Sequence, residues 1–269
     1  MELKLSDADF LRLTQFIHKN YGIDLSKKRQ LIVSRLSYTL QTMGYDSFTT
    51  FIDQLIKTRN PNDIELVINK LTTNYTFFMR EQDHFNFFKN TILPEIVRRH
   101  EKDRVLSIWS AGCSSGEEPY TIAMYIKDFL GMRAGSWDTR VLATDISQKA
   151  LATAKEAIYD LPDTIPPEWK RRYFQQDKAS GRYQVAPEIR NQVMFRTFNL
   201  MDPIRFPNKF DVIFCRNVMI YFDQPTKDAL VTRFFNATTP GGYLLIGHSE
   251  TLNRNIGYQF LAPATFRKP

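Results

Sequence analysis

Val105-Leu106-Ser107-Ile108-Trp109-Ser110-Ala111-Gly112-Cys113-Ser114-Ser115-Gly116-Glu117-Glu118-Pro119-Tyr120 is the stretch that decides the fold. Residues 105–109 form a short apolar run of strand length. A Ser-Ala-Gly-Cys-Ser-Ser-Gly turn follows, and residues 117–130 then carry the periodicity of a helix. A strand feeding a glycine-rich turn that opens a helix is the start of a β-α-β unit. Glycines let a ligand approach the backbone, and a helix N-terminus supplies free N–H groups. A phosphate would be repelled by two glutamates in the first turn. Carboxylates there suit a ligand carrying an ammonium or sulfonium. The plain alternative is a tight turn whose acids complement the helix dipole.

Downstream the pattern repeats. Residues 140–144 read as a strand ending at Asp145, with a helix over residues 147–158. Residues 210–215 read as a strand, 225–237 as a helix and 243–247 as a strand, and residues 258–266 as a hairpin at the sheet edge. Strands alternating with helices mean a parallel or mostly parallel, doubly wound α/β sheet. Residues 159–198 break the rhythm with Pro162, Pro166 and Pro167. Their short strands, 183–185 and 193–198, predict a small β-subdomain insertion.

Upstream, residues 7–70 read as helices. Asp7 or Asp9 is the expected cap of the first, and Phe10, Leu13, Phe16 and Ile17 recur at helical spacing. Ser26 is the expected cap of a second helix running to Met43, with Gly44 as its stop. Phe48, Phe51, Ile52 and Leu55 predict a third, and Ile64, Val67, Ile68 and Leu71, after Pro61, a fourth.

The 269 residues suffice for one or two domains. A 43% hydrophobic and 24% charged composition is that of a globular protein. No 18-residue apolar run predicts a membrane span, and Met1–Asp7 lacks the apolar core of a signal peptide. Cys113 and Cys215 lie outside any CxxC pattern, which leaves neither a disulfide framework nor a zinc ribbon and points to the cytoplasm. The net charge of +7 is spread along the chain and favours an acidic partner only weakly.

Gly112-Cys113-Ser114-Ser115-Gly116 also fits the G-x-S-x-G nucleophile elbow, with Asp211 and His248 in the required order. Such hydrolases place several strands before the elbow, whereas here that stretch is helical. Asp145, at the end of the second strand, can accept both ribose hydroxyls, although acids there also cap helices. The turn lacks a full G-x-G-x-x-G and the chain has no P-loop. NAD and ATP therefore fit less well than S-adenosylmethionine.

Four segments, in order, resemble the CheR family, the methyltransferases that methylate glutamates of bacterial chemotaxis receptors. They are Leu71-Thr72-Thr73-Asn74-Tyr75-Thr76-Phe77-Phe78-Met79-Arg80-Glu81, the run from Ile108 to Tyr120, Phe214-Cys215-Arg216-Asn217-Val218-Met219-Ile220-Tyr221-Phe222, and Gly247-His248-Ser249-Glu250. The resemblance implies a helical N-terminal receptor-docking domain (residues 1–72) and a linker contributing to the cofactor site (73–90). A class I S-adenosylmethionine-dependent methyltransferase domain follows (91–269), a Rossmann-like sheet with a reversed final strand and a β-subdomain at about 159–198. It also implies that Asn74, Thr76 and Arg80 contact the cofactor from the linker. Glu118, or its neighbour Glu117, would hold the methionine end and Asp145 the ribose. Asn199 and Leu200 would flank adenine, Arg216 and Asn217 border the methionine side, and Tyr221 lie near the methyl group. The product would be S-adenosylhomocysteine, and no metal is expected.

A glutamate acceptor is already ionised near neutrality, the ordinary pKa of that side chain being about 4.3, so catalysis is mainly alignment. Arg80 and Tyr221 are the candidate catalytic residues: Arg80 to orient the acceptor through paired N–H groups, Tyr221 through its hydroxyl or ring. Lys27, Lys28, Arg29 and Arg35 crowd the second helix. They read either as a solvated face or as a docking surface for the acidic helical methylation region of a receptor. The later arginines that family members carry on this helix are replaced by Tyr38, Thr39 and Gln41, and residues 175–182 look short for a tethering loop. The expectation is a monomer that docks by charge, independently of a receptor C-terminal peptide, with neither nucleic acid nor membrane insertion. The rival readings are a nucleic-acid methyltransferase, against which Arg216-Asn217-Val218-Met219 stands where an amino-methylating motif would be, and a cofactor-binding sensor without catalysis.

Overall fold

Every residue of β1 (Ile108–Ala111) is buried, as a strand covered on both faces must be. In the computed structural model, which describes residues 3–269, the chain divides into two units. One runs through Asn74 and adds Tyr221–Lys227; the other comprises Tyr75–Ile220 and Asp228–Pro269. Met1 and Glu2, at the head of the expected helical domain, lie outside the described residues.

The first unit is built from α1 (Asp7–Tyr21), α2 (Arg29–Thr42), α3 (Phe48–Thr58) and α4 (Pro61–Leu71). Its core is the apolar stripe of each helix: Leu13 and Ile17, Ile32, Leu36 and Leu40, Phe51, Ile52 and Leu55, Val67 and Ile68. Two expected caps are corrected. Ser6, not Asp7 or Asp9, caps α1 by accepting from the Asp9 amide. Ser26 does not cap α2, because the helix begins only at Arg29 and Ser26 lies two residues before the cap position, its own N–H bound to the Asp24 carboxylate at 2.9 Å. Lys28 stands at that N-cap without a side-chain bond. Residues 221–227 join this unit through an Ile23–Phe222 bridge, a bond from the Asp24 amide to the Tyr221 carbonyl (2.8 Å) and a His18–Asp223 pair (3.0 Å).

The second unit opens with α5 (Gln82–Phe87), a π-helical turn (Phe88–Ile92) and α6 (Leu93–Arg99). Phe78, Phe85 and Phe88 are buried in its core, so the expected linker from residue 75 onward packs as part of this unit. The main elements that follow are α7 (Glu117–Leu130), β2 (Val141–Asp145), α8 (Gln148–Glu156), β3 (Ile158–Tyr159), α9 (Pro167–Tyr173), β4 (Phe174–Gln176), β5 (Tyr183–Val185), α10 (Pro187–Arg190) and β6 (Val193–Thr197). The chain closes with β7 (Phe210–Cys215), α11 (Gln224–Ala237), whose residues from Asp228 on lie in this unit, β8 (Thr238–Ile246), β9 (Gln259–Ala262) and β10 (Thr265–Arg267).

The large sheet has the order β6-β2-β1-β7-β8-β10-β9. β6 through β8 are parallel, and β10 is antiparallel to β8, as the resemblance implies. Trp109 anchors one face among Phe198, Phe206, Phe210 and Phe234, and its Nε1 donates to Thr144 Oγ1 at 2.9 Å.

Three boundaries differ from the sequence reading. β1 starts at Ile108 rather than Val105, because the Ser107 amide is taken by the Asp211 carboxylate. β8 begins upstream of the expected strand, with Thr238 paired to Phe210 across a bulge. Residues 193–197 do not belong to the insertion. They pair in parallel with β2 from Val141–Val193 to Asp145–Thr197, so the small antiparallel sheet is β3-β5-β4.

Candidate functional site

The chain leaves β1 for β2 and β6 on one side of the sheet and returns to β7 on the other. The switch point therefore lies between β1 and β7, and ligands of open α/β sheets bind outside the carboxyl ends of the strands there. Two turns flank it: residues 112–118 after β1, and Arg216 and Asn217 after β7.

The first turn is held by the protein itself. Gly112 (φ 85°) and Gly116 (φ 98°) take backbone conformations that favour glycine. A Cβ at Gly112 would collide with Val218 Cγ2, and one at Gly116 would come within 2.8 Å of Ala154 Cβ. In the protein itself these glycines make room for Val218 and Ala154. Ser114, also left-handed (φ 49°), donates its amide to Asp145 Oδ2 at 2.8 Å, and the Ser147 amide binds Oδ1 at 2.9 Å.

Glu117 and Glu118 diverge. Glu117 is buried against Ser115 Oγ (2.7 Å), and burial pushes its carboxyl above the usual range. Glu118 accepts from Ser110 Oγ at 2.7 Å and from Arg216 Nη1 at 3.0 Å. Of the two acids, Glu118 is the one turned toward the flanking turn after β7.

Arg216 is the hub. Its side chain is 2% exposed and pairs with Glu118 and, through Nη2 at 3.1 Å and Nε at 3.3 Å, with Glu81 Oε2. It also donates to the Arg80 carbonyl and lies over the Phe85 ring. Glu81 Oε1 accepts from Asn217 Nδ2 (3.2 Å) and the His248 amide (3.3 Å). Burial would raise the Glu81 carboxyl, but His84 and Arg216 hold it far below the ordinary carboxylate range. Glu250 accepts from the Asn217 and Gly247 amides at 3.0 and 2.6 Å and so ties the ends of β7 and β8 together. Glu81 and Glu250 stand inside two of the motifs without an expected role. Their signal is an acid closing each segment; Arg216 and Asn217, which they hold, lie far along the chain.

Arg80 is half-buried, donates Nη1 to the Tyr75 carbonyl at 2.8 Å and forms no ion pair among the described residues. Thr76 is half-buried. Asn199 accepts from the Met201 amide at 3.0 Å, and the buried Leu200 gives its carbonyl to Arg233. Asn74 and Tyr221 belong to the other unit. There Asn74 Nδ2 donates to Asn69, and the Tyr221 hydroxyl both accepts from the Thr73 amide and donates to its carbonyl, each at 2.9 Å.

Two residues of the expected docking cluster are also bonded within the helical unit. Arg29 binds the Leu5 carbonyl (2.9 Å) and Asp7 (2.6 Å), and Arg35 binds the Lys70 carbonyl (3.0 Å). Lys27 and Lys28 are exposed. The elbow-type triad is not assembled, because Asp211 binds His100 at 3.0 Å while His248 packs on His84. Both cysteines are buried, and their thiols are pushed well above the ordinary range. Glu81, His84 and His248 bring donor atoms within 4.8 Å of one another, but the Arg216 guanidinium already supplies the positive charge beside that carboxylate.

The donor set beside the switch point fits S-adenosylmethionine. Its carboxylates suit a cationic amino-acid end and a ribose diol. Residues 74–265 match the family described as CheR methyltransferase, SAM binding domain, and residues 8–72 match its all-alpha domain. No helix is long and apolar enough to cross a membrane among the described residues. The chemotaxis protein methyltransferase of Borreliella burgdorferi is 40% identical over 100% of this chain and 96% of its own length. That of Salmonella typhimurium is also 40% identical, over 94% and 87%, and that of Escherichia coli 38% identical, over 93% and 87%. The chain belongs to the CheR family of S-adenosylmethionine-binding chemotaxis protein methyltransferases.

Proposed function

We propose that this protein methylates glutamate side chains of chemotaxis receptors, giving methyl esters, in the cytoplasm. The observation that carries the reading is Arg80, a guanidinium without an ion pair among the described residues, on a backbone fixed at its carbonyl by Arg216. Two parallel N–H groups at such a place suit an incoming carboxylate.

Glu118, with Arg216 and Asn217, would hold the methionine end of the cofactor. Asp145 would hold the ribose, Asn199 and Leu200 the adenine, and Asn74 and Thr76 would contribute from the linker. When bound, the cofactor supplies a sulfonium methyl, and its departure leaves the thioether S-adenosylhomocysteine. Arg80 holds the acceptor carboxylate with a lone pair in line with that methyl. No proton moves, so no general base is required. Tyr221 is assigned to the acceptor side. Its hydroxyl is already engaged by Thr73, which favours a contribution from the ring. Docking is proposed to rest on Lys27 and Lys28 facing an acidic helical bundle, by a monomer and without a tethering peptide.

The test is transfer of labelled methyl to receptor-containing membranes followed by mild base. Label released as methanol is expected, as a carboxyl ester requires. Arg80→Ala should depress incorporation about 10- to 100-fold, well beyond any loss of stability. Base-stable label would refute glutamate esterification.

A further inference from the structure

The proposed cofactor site contains an acid more than its cation balances. Arg216 faces two carboxylates, Glu118 and Glu81, and all three side chains are at most 15% exposed. The buried His84 imidazole also stands 3.3 Å from Glu81 Oε2; apart from it, two carboxylates and one guanidinium leave one net negative charge in a partly desolvated place. A lone Glu118–Arg216 pair would be neutral and cheaper to bury. The fold nevertheless secures Glu81 with Asn217 Nδ2 and the His248 amide. It also holds the Glu81 backbone in the left-handed region at φ 57°, which a non-glycine residue seldom adopts. Its carboxyl stays ionised, since the partners described above keep it far below the ordinary range.

We propose that Glu81 tunes cofactor selectivity: by drawing on Arg216 it leaves Glu118 under-neutralised, so that the site discriminates in favour of the cationic sulfonium over the uncharged thioether product. Glu81 is thus a positioning residue that acts through Arg216. The inference rests on the proposed placement of the cofactor beside Glu118.

S-adenosylmethionine and S-adenosylhomocysteine share the same amino-acid, ribose and adenine groups, so the ratio of their dissociation constants isolates the charge on sulfur. Calorimetry at about pH 8.5, above the ordinary imidazole range, reads that ratio. Glu81→Gln should weaken S-adenosylmethionine about five- to tenfold more than S-adenosylhomocysteine, the size expected of one charge at several ångströms in a partly screened site. Glu81→Asp keeps the charge and should keep the ratio. Equal losses for both ligands, or none, would overturn the proposal. Should Glu81→Gln not fold, Arg216→Gln decides: it adds net negative charge and must shift the ratio toward the sulfonium, and an unchanged or opposite ratio overturns the proposal. Glu118→Ala serves as the control for placement. If it leaves both ligands unaffected, the cofactor reading itself fails; if it weakens both, that reading stands whatever Glu81 does.

Discussion

The cluster around Arg216 and the start of α2 each gather charge within a few residues, but water treats them differently. At Arg216 the side chain is buried, and every partner is a fixed carboxylate or carbonyl of the same unit. At α2 the charges are all positive and border solvent: Arg29 and Arg35 each bind a carbonyl, Arg29 also pairs with Asp7, and Lys27, Lys28 and Arg35 are exposed. A run of like charges in a sequence therefore overstates what is available to a partner. A scattered set of opposite charges conceals a tight assembly.

The sharpest way to break this contrast is Arg216→Met. It would strand Glu81 and Glu118 without their counter-charge, and removing one member of a buried pair costs about 3–5 kcal/mol. Denaturant unfolding should show that loss; a change under about 1 kcal/mol would mean that the cluster is solvated like the surface of α2. On α2 the split runs within one cluster. Charge reversal of Lys27 and Lys28 to Glu should change stability by less than about 0.5 kcal/mol, while raising the receptor KM severalfold and flattening its salt dependence. Arg35→Ala should instead cost about 0.5–1.5 kcal/mol through its lost hydrogen bond to Lys70. If the lysine reversals left receptor KM unchanged, α2 would not be the docking element.

The smallest effect concerns His100. Burial would lower its pKa, but Asp103 and Asp211, one on each ring nitrogen, outweigh it and raise the value. A raised folded value means stability present below the unfolded pKa of about 6.5 and lost as pH rises through the folded value. The urea midpoint of the wild type should therefore fall from about pH 6 upward more than that of His100→Gln; parallel curves would remove His100 from the balance.

The elements with strong periodicity are legible in the sequence: α3, α4, α7 and β7 fall where their apolar spacing puts them. Short elements shift where a side chain from elsewhere in the chain intervenes, as when Asp211 captures the Ser107 amide. β6 lies in the large sheet and not in the insertion, a difference hidden from the sequence because a five-residue strand carries no record of its partner. In the site, Glu118 and Asp145 stand out because each lies close to the end of its strand. Glu81 and Glu250 do not, since the Arg216 guanidinium and the Asn217 amide that they hold lie more than thirty positions away.

The packing of Val218 into the space beside Gly112 has a consequence for the energetics of binding. The turn after β1 and the turn after β7 interlock through that contact. Their relative placement is thus settled when the second unit folds, not when a ligand arrives. A molecule entering at the switch point meets walls whose conformational freedom has already been removed, and less of its contact energy is lost to ordering the protein.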